Sequence, residues 1–299
     1  MIFRIDVSVT KQSVDVIRLF AKALLRACEN QHLIEVSPSV RGWIDRTIIQ
    51  NPKYEYLGSF DCEDIMKNQE FWDIKTIQKQ NLQTICVGYE TKMISVKQMW
   101  LLVNEPSLVI LENGYFDWMV LCKWVSLYKK DKSLGSIFMM VHKAITDHKT
   151  LREHNAGGCD NIQNVMRALM PLYNNMYRFR LTTIFDSDKV SKEDTLEHHC
   201  TLKTFLNDNE ILFHELEKRE IENYFSLQLY EKAGLRQLGV SVDKDIETEW
   251  DYIDLGKESF LQFKKSDIAK LCNELLKKED LEPIETEIKK IIIHLAKYI

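Results

Sequence analysis

Apolar residues recur at helical spacing over residues 12 to 29. Val16, Leu19, Phe20, Ala23, Leu24 and Ala27 share one side of the turn, and Arg18, Lys22 and Arg26 another, which predicts an amphipathic helix. From about 30 to 100 the pattern is mixed. It is broken by turn chemistry at Ser37-Pro38-Ser39 and Asn51-Pro52-Lys53 and carries isolated Trp43, Trp72 and Trp100, and it predicts an irregular, mostly helical extension. At Ser107 the character changes. SLVIL is a short continuous apolar run that ends on Glu112, meets Asn113-Gly114 and passes into FDWMVLCKWVSLYKK, so a strand, a turn and a helix are expected. A helix near 134 to 148, a polar turn at His154-Asn155-Ala156-Gly157-Gly158 and a helix through NIQNVMRALM follow. RFRLTTIF, rich in β-branched and aromatic residues, predicts a second strand running into Asp186-Ser187-Asp188.

Further on, ILFHELEKREIENYFSLQLYEKAG joins a short apolar run to an Arg/Glu-dense helix closed by Gly234. The tail from Ser266 to Ile299 predicts two helices separated by Asp280-Leu281-Glu282-Pro283, with Leu271, Leu275, Leu276 and then Ile288, Ile291, Ile292, Leu295 at core spacing. Strands alternating with helices predict an α/β fold: a central parallel sheet flanked by helices, with helical N- and C-terminal additions. Three regions are expected: 1–104 as an N-terminal, mostly helical extension, 105–235 as the core and 236–299 as a C-terminal helical region.

Composition narrows the classes. With 299 residues and 45% hydrophobic content the chain fills a real core, which excludes disorder as its main theme. Lys plus Arg number 40 against 45 for Asp plus Glu, and the net charge of −5 excludes a polybasic tail binder while leaving room for a local basic groove. Ten Gly and five Pro favour helices and buried strands over a loop-rich sandwich. The seven cysteines are scattered (Cys28, Cys62, Cys86, Cys122, Cys159, Cys200, Cys272). Their spacing gives no zinc knuckle, CxxC pair or disulfide framework and points to a reducing cytoplasm. The start, MIFRIDVSVTKQ, lacks the apolar run of a signal peptide, and no stretch approaches the ~18 apolar residues of a membrane span.

Candidate chemistry lies where a parallel sheet places its sites, at the carboxyl ends of strands. Glu112 follows LVIL directly. Asp186 and Asp188, at i and i+2 after the second strand, are expected to project to one side and to repel unless a cation lies between them. Hard oxygen ligands of this kind favour Mg²⁺ or Mn²⁺. Glu222 forms a third acidic station, on a helix that also offers Lys218 and Arg219. Each piece has an ordinary explanation: a solvated Glu, an Asx turn, an ion-paired helix face. Their order is more specific than any of them.

That order resembles the Toprim domain of topoisomerases, DnaG-type primases, recombination mediators and OLD-family nucleases. L-E-N-G-Y-F-D-W carries Glu112, Gly114 and Asp117; A-G-G-C-D-N-I carries the glycine turn; I-F-D-S-D-K carries the D-x-D. K-R-E-I-E-N-Y-F resembles the helix of OLD-like and defence-associated members and is the most specific match. The matches span about residues 105 to 232. Asn113 places Glu112 and Asp117 one residue further apart than the family's E-G-x-x-D, so either the turn is bulged or Asp117 belongs to helix structure outside the metal site. No GxxxxGK[ST] sequence is present, and no zinc-finger cysteines.

The resemblance implies metal-assisted phosphodiester hydrolysis. Glu112, Asp186 and Asp188 are expected to converge on Mg²⁺ (or Mn²⁺), with Glu222 and Asp117 recruiting a second ion. Lys218 or Arg219 is expected to meet charge on the phosphate, with Lys257 and Lys265 as alternatives. His198 and His199 are expected in a surface loop or at nucleic acid. The implied function is a cytoplasmic endonuclease acting on DNA or RNA, the effector of a bacterial anti-phage system working with a separate ABC-type ATPase, with a terminal element serving a partner or a second copy of the chain as homo-oligomer. The alternative is a non-catalytic Toprim-fold binding or assembly module of DNA repair and recombination.

Overall fold

The computed structural model describes residues 1–30, 32–51, 53, 75–237, 240 and 249–299. Pro52 and Trp72, and part of the expected C-terminal region, lie outside them. In chain order the described strands are β1 (Ile2–Ile5), β2 (Leu33–Val36), β3 (Thr84–Val87), β4 (Ser107–Leu111), β5 (Leu151–Asn155), β6 (Leu181–Phe185) and β7 (Phe213–Glu215). The described α-helices are α1 (Val14–Glu29), α2 (Pro38–Ile44), α3 (Thr76–Asn81), α4 (Val96–Asn104), α5 (Gly114–Tyr128), α6 (Ile137–Thr146), α7 (Cys159–Tyr173), α8 (Glu197–Asp208), α9 (Leu227–Lys232), α10 (Lys265–Glu274) and α11 (Glu285–Ala296). The chain divides into two compact units, Met1–Ser107 with Asp131–Leu151 and Leu295–Ile299, and Leu108–Lys130 with Arg152–His294. Each holds a parallel sheet flanked by helices, so the protein is α/β.

The first unit corrects the expectation of a mostly helical extension. Its strands pair in the order β2-β1-β3, parallel on both sides, with Phe3 between Ile34 and Ile85. Each strand is only four residues long, and β1 is apolar at three of them, so no alternation marks it as a strand. Helix α1 buries Phe20, Ala21, Ala23, Leu24 and Ala27 and packs along α4. Ser37 caps α2 and Pro38 occupies its first turn, where a missing N–H costs nothing.

The second unit carries the four-stranded sheet, order β5-β4-β6-β7, in which Ile110 pairs with Thr183 and Phe185 with Glu215. Beneath one face, Ile110 and Phe185 close a core with Ile162 and Met166 of α7 and Leu202 and Leu206 of α8. Helix α5 packs against α10. Gly114 starts α5 against the end of β5: a Cβ there would stand 2.8 Å from Asn155 Cα, so the backbones meet only because the residue is glycine.

One further expectation changes. The segment after β7 is not one long helix. Lys218 and Arg219 lie in a loop, Ile221–Tyr224 form a 3₁₀ turn, and α9 follows. The turn is specified locally: Asn223 Oδ1 accepts from Glu220 N at 3.0 Å, and the Glu220 carbonyl accepts from Asn223 N at 3.0 Å. The apolar face of the last helix is core. Ile288, Ile291, Ile292, Leu295 and Ala296 are all buried, and His294 Nε2 lies 2.6 Å from Thr182 Oγ1 on β6.

Candidate active site

The carboxyl end of the four-stranded sheet gathers residues from β4, β6, the 3₁₀ turn, α5 and α10. Glu112 follows β4, and its Oε1 accepts from the backbone N–H of Asp186 at 3.0 Å, joining residues 74 apart in the chain. Its carbonyl oxygen accepts from Gly157 and Gly158 at 3.0 and 3.1 Å. Those glycines have φ of +78° and +126°, a backbone that suits residues without a side chain, so the glycine turn after β5 cradles the Glu112 backbone. Asp186 Oδ1 accepts from Ile221 N at 3.0 Å, which ties the end of β6 to the turn that carries Glu222. Asp117, in the first turn of α5, accepts from Asn113 N at 2.9 Å and so closes the turn that the extra Asn113 lengthens. It is a helix residue and a neighbour of the acidic group at once.

Asp117, Asp186 and Glu222 are all buried, and two of their oxygens, Asp117 Oδ1 and Glu222 Oε2, have no hydrogen-bond donor among the described residues. Burial and the neighbouring charge of Asp188 push Glu112 up to about 7, and burial raises Asp117 to about 6. Asp186 is raised well above the ordinary range, by burial and then by the charges of Glu112, Asp117 and Glu222. Lys265, on α10, is the cation in this group, 3.5 Å from Glu222 Oε1. Burial alone would make it easier to deprotonate, but Glu222, Asp117 and Asp186 outweigh that and hold it as the ammonium.

The cations expected from sequence are rearranged. Lys218 is turned to Asp251 (2.6 Å) and to the carbonyl of Asn223 (3.0 Å), and Lys257 is an exposed partner of Asp254. Arg219 donates to the carbonyls of Asp188 and Lys189 at 3.3 and 3.4 Å, so it fixes the backbone after β6.

Asp186 and Asp188 do not share a side, because β6 ends at Phe185 and Asp188 takes the left-handed conformation with φ +52°. Ser187 between them is buried and donates to the carbonyl of Lys218 at 2.8 Å. Asp188 Oδ2 therefore faces His199 Nε2 at 3.5 Å, and its carboxyl is held below the usual range by that contact. His199 is buried in the first turn of α8, not in a surface loop. Its Nδ1 lies 3.2 Å from Glu215 Oε1 and its Nε2 3.4 Å from Cys159 Sγ. Burial would depress this imidazole, yet hydrogen bonds to Asp188, Cys159 and Glu215 raise it to about 11.

Among the described residues, the metal-ligating group whose atoms all lie within 4.8 Å of one another is Cys159, His198 and His199; the carboxylates stand further apart around Lys265. Beyond burial, Asp188 raises Glu112 and Glu112 raises Asp186, so the expected set stays electrostatically linked, while Asp188 also faces the Cys/His group. Cys159 and Glu215 carried no local signal in sequence, since their partners lie 40 and 16 residues away. No protein-family model, curated protein or solved structure matches the chain.

Proposed function

We propose that the chain is a divalent-cation-dependent phosphodiester hydrolase of Toprim type, acting on nucleic acid. The observation that supports this most strongly is the buried, under-satisfied acidic group: four carboxylates from separate elements, two with oxygens that no donor among the described residues reaches. Buried like charges without compensation are costly, and a residue set that tolerates them belongs at a functional centre. The unpaired oxygens and the all-oxygen donor set fit a hard cation, Mg²⁺ or Mn²⁺. Glu112, Asp186, Glu222 and Asp117 would hold it. Such an ion supplies Lewis acidity toward a phosphoryl oxygen and toward an attacking water.

The chain's own residues do the rest. Lys265 offsets the carboxylates and offers an ammonium to phosphate oxygens. Glu112, raised to about 7, holds its proton near neutrality when no cation is present and yields it on loading. Gly157 and Gly158 fix the Glu112 backbone, and the Asp186 amide fixes its side chain. As an effector of anti-phage defence the chain would act with a separate ABC-type ATPase.

The test is cleavage of labelled single- and double-stranded DNA and of RNA by the full chain, with Mg²⁺, Mn²⁺ or chelator, with and without such an ATPase. Cleavage that needs the cation and disappears in Asp186→Asn supports the reading. Cleavage that survives either change overturns it, and nucleic-acid binding with no cleavage in any cation favours the assembly module.

A further inference from the structure

We infer that Cys159, His198 and His199 form a second metal site, for Zn²⁺, with Asp188 at its border. The inference does not rest on the nuclease reading. The three ligand atoms lie within 4.8 Å of one another although Cys159 opens α7 and the two histidines open α8. A tetrahedral ion with metal–nitrogen distances near 2.0 Å and metal–sulfur distances near 2.3 Å has ligand–ligand edges of about 3.3 to 3.8 Å. His199 Nε2 already has two neighbours at that spacing, Cys159 Sγ at 3.4 Å and Asp188 Oδ2 at 3.5 Å.

The surroundings are those of a ligating imidazole. His199 is buried, with the edge of its ring against Phe185 at a centroid distance of 5.5 Å. Its far nitrogen, Nδ1, meets Glu215, whose other oxygen is held by Lys203 at 2.7 Å. A carboxylate behind a histidine fixes the ring and aims Nε2 at the ion. His198 packs edge-on to His199 at 4.3 Å between centroids and is exposed, so the site has a buried floor and an open rim.

One sulfur and two imidazole nitrogens make a borderline-soft set that prefers Zn²⁺ to Mg²⁺, while the all-oxygen group around Lys265 prefers the reverse. A nucleophile–base–carboxylate relay through Cys159, His199 and Glu215 explains less. Nε2 is shared with Asp188, and the relay gives the second imidazole, His198, no part. An ion here would clip the glycine turn that cradles Glu112 to α8 and to the segment after β6.

The experiment uses the full chain, stripped with chelator at neutral pH and titrated first with Co²⁺ and then with Zn²⁺. The expected result is about one ion per chain, a thiolate-to-cobalt charge-transfer band with tetrahedral ligand-field bands, and loss of both when Zn²⁺ displaces cobalt. Cys159→Ser should abolish the charge-transfer band. His198→Ala, at an exposed position, should weaken Zn²⁺ binding by about tenfold or more. Asp186→Asn and Cys272→Ser should leave the band and the stoichiometry intact. Circular dichroism on each variant reports folding, and His198→Ala keeps the test decisive if Cys159→Ser misfolds. Absence of the thiolate band in the wild-type chain, its persistence in Cys159→Ser, or unchanged Zn²⁺ affinity in His198→Ala overturns the site.

Discussion

The two parallel sheets end in different ways. At the carboxyl ends of β2-β1-β3 every acid is answered. Glu35 accepts from Arg4, its cross-strand neighbour, and from Lys79, and Asp6 accepts from Ser8 N at 2.7 Å. A cleft of about 510 Å³ opens there, lined by Arg4, Asp6, Glu35 and Cys86. At the carboxyl ends of β4 and β6 the acids outnumber their partners, and oxygens of Asp117 and Glu222 have no donor among the described residues. A cleft alone therefore does not mark the end whose acids lack partners. Polar satisfaction does: natural proteins break the rule of paired buried charge mainly where a ligand completes it.

The largest expected contrast is in activity. Asp186→Asn should lower cleavage by about 10³-fold or more, equivalent to about 4 kcal/mol of transition-state stabilisation. Asp6→Asn, at the end of the other sheet, should change it by less than about threefold. Equal losses in the two variants would erase the distinction between the sheets.

Stability should move in opposite directions. In chelator, Asp186→Asn keeps an oxygen for Ile221 N and removes a buried charge, so it should stabilise the chain by about 1–3 kcal/mol. Glu35→Gln breaks a partly exposed ion pair and should destabilise it by about 0.2–1 kcal/mol. Urea unfolding of both variants measures the sign. A destabilised Asp186→Asn would show that this carboxylate is already well compensated.

Lysine substitutions sharpen the picture within the second unit. Lys265→Met should cost about tenfold in cleavage, about 1.4 kcal/mol, because it removes the ammonium beside Glu222. Lys257→Ala, on an exposed side chain, should leave the rate within about twofold.

The last contrast is the pH dependence of the cation-free chain. Glu112 and Asp117 are raised in the fold to about 7 and about 6, so between about pH 4 and 7 the folded state holds protons that the unfolded state has released. Their contribution is fully present below about pH 4 and is lost as pH rises through 6 to 7. Glu35 and Asp6, held low, act in the other sense, and their contribution is lost on acidification. Adding Mg²⁺ should flatten the decline near neutrality. A melting temperature that climbs steadily from pH 4 to 7 in chelator would remove the acidic group from the account.

The strands β4 and β6 were legible because SLVIL and LTTIF are rich in apolar and β-branched residues and run into turn residues. The strands of the other sheet were not, since four residues buried in a parallel sheet show neither alternation nor length. Glu112 and Asp186 were legible by position, each just past a strand. Two things escaped. The left-handed φ of Asp188 divides a D-x-D that extended geometry would keep together, and only tertiary contacts with Arg219 and His199 reveal it. Lys265 ranked behind Lys218 because proximity in sequence stood in for proximity in space, and a cation from α10 reaches the site only through helix packing against α5.

The place of Lys265 also bears on how the chain is made. Glu112, Asp117, Asp186 and Glu222 all leave the ribosome before it, and α10 is the element that delivers it. At about 5–20 residues per second, the 43 residues from Glu222 to Lys265 take several seconds to synthesise. Throughout that interval the carboxylates are present without the ammonium that offsets them. On the proposed reading, the nascent chain lacks its phosphate-facing cation until α10 docks.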